Sequence, residues 1–306
     1  SGGVLTTATV KGGGGADTII LSGAQSTTAA LIAGDGAGAG VYGNDVISMA
    51  SDVGSATKIN GGGGADSITV SGDTSNKASI LGGAGGDTIQ VQGFSADTTG
   101  VLIGGGAGSD SIFISADGNM TGNGTIQGGG GVDSISISGA QTGNEMMIYG
   151  GAGADIIGLG TFTTGTGANV AYSAFADSNV DAIDQISGSS VSGARINVKV
   201  SAITNTLRLD SLSNATLHVS GGIATGGGFS ANSIGSAASI MDGALGTKGA
   251  SVIFTQSGSN YLFIQGGTSG TSDDLLVEFA SGLALSGASA VTVGTASGTL
   301  SLTFKS

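Results

Sequence analysis

The segment Gly61-Gly62-Gly63-Gly64-Ala65-Asp66-Ser67-Ile68-Thr69-Val70 decides the fold. Four consecutive glycines oppose a helix, since each costs about 1 kcal/mol in a helix interior. Past Asp66 every second residue is apolar, which is the period of a strand with one buried face. The segment recurs at Gly12–Ile19, Gly82–Ile89, Gly105–Ile112, Gly128–Ile135 and Gly150–Ile157, with a degenerate copy at Tyr42–Ile47. Its Asp positions are 17, 45, 66, 87, 110, 133 and 155, separated by 28, 21, 21, 23, 23 and 22 residues. Two places after each Asp stands isoleucine, and four places after it an aliphatic residue or Met49. Seven places before it stand Val10, Ile59, Ile80, Ile103, Ile126 and Ile148, with Gly38 breaking the rule in the degenerate copy. Each repeat therefore carries one strand on either side of a glycine corner. A second turn, as at Ser71-Gly72-Asp73, closes the coil. The expected fold is all-β: a parallel β-helix or β-roll solenoid of about seven 22-residue coils over residues 1–160. A C-terminal β-rich capping domain over 161–306 is expected from alternating runs such as Ser251–Phe254, Tyr261–Ile264, Leu275–Phe279 and Leu300–Phe304.

Composition narrows the function. The 306 residues include 63 Gly, no Cys, no Pro, no Trp and one His, with a formal charge of −13. Thiol catalysis, cysteine-ligated zinc and disulfide scaffolds are excluded, and no basic surface exists to meet nucleic acid phosphates. No apolar run is long enough for a membrane span. The opening Ser1-Gly2-Gly3, without an initiator Met or an apolar leader, reads as a processed product or a portion of something longer.

Stacked coils place equivalent residues about 4.8 Å apart. Carboxylates at that spacing repel by about 1 kcal/mol in water and by roughly 3–4 kcal/mol at an effective dielectric of 20. A thin aliphatic core has little surplus to absorb this, because ordering costs about 1.5 kcal/mol per residue. Glycine loops can turn their carbonyls one way, and hard oxygen donors suit calcium. Ca2+ is thus the expected cofactor, acting as a folding ligand. The plainer alternative is that the Gly-Asp turns are tight, side-chain-stabilised corners.

The recurring Gly-Gly-x-Gly-x-Asp-x-Ile pattern resembles the nonapeptide of the repeats-in-toxin family. The resemblance implies that Asp carboxylates and loop carbonyls from adjacent coils share each ion. Carried onto this chain, the ligands are Asp17, Asp45, Asp66, Asp87, Asp110, Asp133 and Asp155. The accompanying loop residues are Gly12, Gly14, Gly61, Gly63, Gly82, Ala84, Gly105, Ala107, Gly128, Gly130, Gly150 and Ala152. The chain departs from the family in carrying the motif on one edge of the coil, so a single file of ions is expected. Ser259–Phe279 looks like the C-terminal region of such proteins exported by type I secretion, and like the ends of repeat-bearing bacterial surface-layer proteins. That implies an uncleaved export signal and an extracellular or cell-surface location.

Other candidates are weaker. His218 lies in an alternating strand with no second His; Asp273-Asp274 and Asp181/Asp184 are candidates for paired carboxylates of glycoside chemistry, but read better as turn residues or further calcium ligands, and Asp181–Gly188 is similar to a terminal repeat segment. The outward Thr18, Ser67, Thr88, Ser111 and Ser134 form a modest polar ladder that Ile156 interrupts. The expectation is a non-enzymatic surface-layer-like component that self-associates into a lattice or filament, with cell-surface polysaccharide as a possible partner. The alternatives are an adhesin or glycan-binding module of a larger secreted protein, a calcium-binding accessory of an exoenzyme, and a structural protein of a bacterial virus.

Overall fold

The computed structural model describes residues 5–22, 27–35, 42–92, 99–115, 123–138, 140–141, 146–162, 167–190, 195–200, 208–209, 218–220, 223–225, 233–245, 248–267, 269–280, 291–293 and 299–303. Phe304, the last residue of the Leu300–Phe304 run, and Gly38 lie outside these residues. The side chain of His218 also lies outside the described set. The chain forms two compact units, Ser1–Tyr149 and Gly150–Ser306.

The first unit is a parallel β-solenoid. One face is built from the strands that precede each glycine corner: Thr9–Gly13, Leu31–Asp35, Lys58–Gly63, Ser79–Ala84, Thr99–Ala107 and Asn123–Gly130. These pair in parallel, keeping Val10, Ile32, Ile59, Ile80, Ile103 and Ile126 in one register. The other face follows the Asp: Thr18–Leu21, Val46–Met49, Ser67–Val70, Thr88–Val91, Ser111–Ser115 and Ser134–Ser138. Here Ile19, Ile47, Ile68, Ile89, Ile112 and Ile135 align, again in parallel. The isoleucines of both files are buried, and burying each such side chain contributes about 1.5–3 kcal/mol. Outward positions are mostly small and polar, but Leu81, Leu102 and Phe113 stand there partly buried, and Ile20 and Val46 are exposed.

The regular solenoid has about five turns, fewer than the seven that the Asp repeats suggested. Val10 and Leu21 of the first rung are only half-buried because it is the end coil, and the Asp155 rung falls beyond the division at Gly150. The copy around Asp45 also differs from its sequence reading. Gly13 pairs with Asp35, and Val10 with Ile32. Ile32, not Gly38, therefore fills the buried register. That copy has six more residues in its sequence, 36–41, between Asp35 and Tyr42-Gly43.

The corners explain their glycines. At the fourth and second places before each Asp of the regular copies, Asp45 excepted, φ is strongly positive: 125° and 131° at Gly83 and Gly85, 120° and 123° at Gly106 and Gly108. A Cβ on Gly83 would stand 1.9 Å from the Gly62 carbonyl oxygen, and one on Gly106 1.9 Å from that of Gly83. The third place before Asp escapes both constraints, which is why Ala84, Ala107 and Ala152 are accommodated there.

The second unit begins with the same logic and then changes. Ile156–Phe162 and Asp184–Ser190 pair in parallel, and Asp184–Ile186 pair in parallel with Val277–Phe279. From there Leu275–Phe279, Ser259–Ile264 and Ala250–Gln256 form an antiparallel meander. The helix Ile234–Leu245 was not foreseen from the alternating runs. Its Ala237, Ala238, Met241 and Leu245 pack on Val252, Phe254 and Phe263.

Paired alanine substitutions test the corner geometry. Gly106→Ala should lower unfolding free energy by at least about 2 kcal/mol, since it combines a glycine-only backbone conformation with a backbone clash. Gly130→Ala has nothing within 4 Å of the added carbon and should be neutral or stabilising by up to about 1 kcal/mol. Urea unfolding of the two variants checks both, and equal destabilisation would contradict the geometry.

Candidate metal centre

The Asp side chains do not line an exposed loop. They turn inward beneath the corner, where Asp45, Asp66, Asp87, Asp110 and Asp133 are at most 3% exposed. Each carboxylate joins two coils. Asp17 N–H donates to Asp45 Oδ1 (2.7 Å), and Asp45 N–H to Asp66 Oδ1 (2.8 Å). Asp66, Asp87 and Asp110 donate in the same way to Asp87, Asp110 and Asp133, each at 2.8 Å. Alongside, each Asp carbonyl accepts the amide of the residue after the next Asp, as Ser67 N–H to Asp45 O and Thr88 N–H to Asp66 O. The corner is thus hydrogen-bonded across coils by a side-chain oxygen where a strand would use a carbonyl.

The second carboxylate oxygen has a different fate. Oδ2 of Asp17, Asp45, Asp66, Asp87 and Asp110 is buried without a hydrogen-bond partner. It points at a glycine of its own coil, five places earlier for Asp17, Asp66, Asp87 and Asp110, and Gly34 for Asp45. A Cβ on Gly61 would lie 2.3 Å from Asp66 Oδ2 and 2.6 Å from Gly82 O of the next coil. Gly12, Gly34 and Gly82 show the same pair of oxygens. Glycine is required at this place by the carboxylate itself.

The predicted ligands therefore divide. The carbonyls of Gly34, Gly61, Gly82 and Gly105 lie beside the corner carboxylates. Those of Ala84, Ala107 and Gly130 are engaged by the amides of Gly64, Gly85 and Gly108, each at 2.7 Å. Asp35 was not foreseen: it occupies the glycine register of the split corner, and its Oδ2 accepts Gly63 N–H (2.7 Å). Asp184 was placed in a stretch, Asp181–Gly188, similar to a terminal repeat, but was read as a turn residue or further calcium ligand and not as a member of the file. It continues the pattern within the second unit, with Asp155 N–H donating to Asp184 Oδ1 (2.9 Å). The signal was present, because Asp184-Gln185-Ile186 keeps the isoleucine two places after Asp although the glycine run is missing.

A simple comparison shows what the file lacks. One hydrogen bond to an ionised oxygen contributes roughly 1.5–3 kcal/mol. Repulsion between neighbouring rungs is roughly 3–4 kcal/mol at an effective dielectric of 20, before desolvation is added. An interior carboxylate is therefore short of compensation unless a proton or a cation joins it. The acidities agree. Burial raises the pKa of Asp45, Asp66 and Asp110, opposed by the amide each accepts; for Asp45 and Asp66 neighbouring carboxylates add to the rise. Asp87 is pushed up to about 6, by burial first and then by Asp66 and Asp110. Asp184 is pushed up to about 8, chiefly by burial.

The donor set is one that a hard cation accepts: a buried carboxylate oxygen per rung with a glycine carbonyl beside it. Among the described residues no three acidic side chains gather at one point. An ion here would draw on one or two carboxylates, with backbone carbonyls and water completing its shell. No helix among the described residues is long and apolar enough to cross a membrane. No protein-family model matches the chain, and no curated protein or solved structure matches it.

The pKa directions fix a sign. An acid with a higher pKa in the folded than in the unfolded chain holds its proton more tightly when folded. That contribution is complete below the ordinary value of 3.8 and is lost as pH rises through about 6 for Asp87. With chelator present, the melting temperature should rise as pH falls from about 7 to about 5. A fall across that window would contradict the buried file.

Proposed function

We propose that this chain is a calcium-stabilised structural protein of an extracellular surface, a rod that sets hard when calcium fills its carboxylate file. The observation that carries the proposal is the row of buried Oδ2 atoms without partners on Asp17, Asp45, Asp66, Asp87 and Asp110. A calcium ion supplies the positive charge such a row needs, and its binding free energy then becomes folding free energy. Such a chain stays soft where calcium is scarce, as in a bacterial cytoplasm, and stiffens where it is plentiful outside. The repeated pattern resembles repeats-in-toxin proteins, and a uniform rod with little reactive chemistry suits a building block of a surface layer.

Circular dichroism of the purified chain, with calcium and then with excess EGTA, tests this reading, with electron microscopy of the product when calcium returns. The expected result is loss of β signal in EGTA and its recovery, with sheets or filaments, on calcium. Asp87→Asn is the companion variant. It keeps the acceptor for the Asp66 amide while removing a charge, so it should be at least as stable as the parent in EGTA and gain less from calcium. A parent chain that keeps its full β signal and melting temperature in EGTA at neutral pH refutes the proposal.

A further inference from the structure

One loop of the second unit gathers oxygen in a way the solenoid corners do not explain. It leaves the strand Ser259–Ile264 at Gln265, whose Nε2 donates to Asp242 Oδ1 on the helix (2.6 Å). Gly270 N–H donates to Asp242 Oδ2 (2.8 Å). Asp242 thereby fastens both ends of the loop with its two oxygens. Gly266 N–H donates to Asp274 Oδ1 (2.8 Å). Asp274 is 1% exposed, and its Oδ2 is buried with no hydrogen-bond partner. Gln265 Oε1 and Asp273 Oδ1 are buried as well. A Cβ on Gly266 would stand 1.7 Å from Asp273 O and 2.8 Å from Asp273 Cγ, so Asp273 and Asp274 close on the same residue.

We propose that this loop binds one calcium ion of its own, held by Asp274 Oδ2 with the Asp273 carboxylate, Gln265 Oε1, loop carbonyls and water. Two carboxylates and an amide oxygen make a hard, all-oxygen set of the kind calcium takes. The set fits the finding that no three acidic side chains converge, because its third protein side chain is an amide. Asp242 stays outside the shell, since both its oxygens already hold the loop. Burial first, then the neighbouring Asp242 and Asp273, make Asp274 reluctant to ionise unaided. The ion would lock the loop onto the helix and the meander that form the core of this unit.

The site does not depend on the carboxylate file, and the test separates the two. Calcium bound per full-length chain is counted by equilibrium dialysis for the parent, Asp274→Asn, Asp273→Asn and Asp87→Asn, and hydrogen exchange is followed at residues 265–274. The expected outcome is one ion fewer in Asp274→Asn and in Asp273→Asn. Calcium-dependent protection of the loop amides should be lost in both and kept in Asp87→Asn. If Asp274→Asn does not fold, the half-exposed Asp273→Asn decides alone. A parent chain that binds no ion in the file but one ion protecting this loop upholds the site while refuting the calcium-filled rod. Unchanged stoichiometry in both variants, or loop exchange indifferent to calcium, overturns it.

Discussion

The solenoid depends on one contact repeated along its edge: the amide of one Asp donated to the carboxylate of the Asp in the next coil. Aspartate is short enough to stay under the corner, and its planar carboxylate leaves one oxygen for the amide and one over. The remaining features follow from it. Oδ2 forces glycine five places earlier, and the stacked carbonyls force glycine four and two places earlier. The sequence motif is therefore the imprint of a packing problem at the corner before it is the imprint of any ligand. What that packing leaves unsatisfied is the second oxygen of each carboxylate.

This arrangement puts a cost where most solenoids put their surplus. The isoleucine files bury apolar surface in every coil, yet beside them runs a buried row of acids whose mutual repulsion is comparable with the burial gain of one side chain. The balance is tipped by whatever neutralises the row. On this balance the protonation state of the row enters the stability alongside the core.

Much of this could be read from the residues alone. Isoleucine two places after Asp and seven places before it gave both faces of the solenoid, because burial on a parallel sheet repeats with the coil. Two things were hidden. The extra residues 36–41 broke the count, so Ile32 was passed over for Gly38; linear spacing cannot show on which side of the extra length the buried position falls. The inward turn of the carboxylates was also invisible, since a Gly-Asp turn reads identically whether its oxygens face water or a neighbouring amide. Asp184 escaped because the glycines that flagged its fellows are absent around it, although its isoleucine is in place. The helix Ile234–Leu245 lies in an Ala/Gly/Ser-rich stretch whose apolar spacing is faint, and tertiary packing selects it.

The split corner has a broader meaning. Asp35 and Tyr42 flank six added residues, yet the strands on either side keep their partners and the Asp45 carboxylate still receives its amide. Register on both sides of this corner is thus indifferent to the length of chain between Asp35 and Tyr42. What the stacking guards is the pairing of amide with carboxylate, and the length of chain between two coils is free to vary where that pairing is kept.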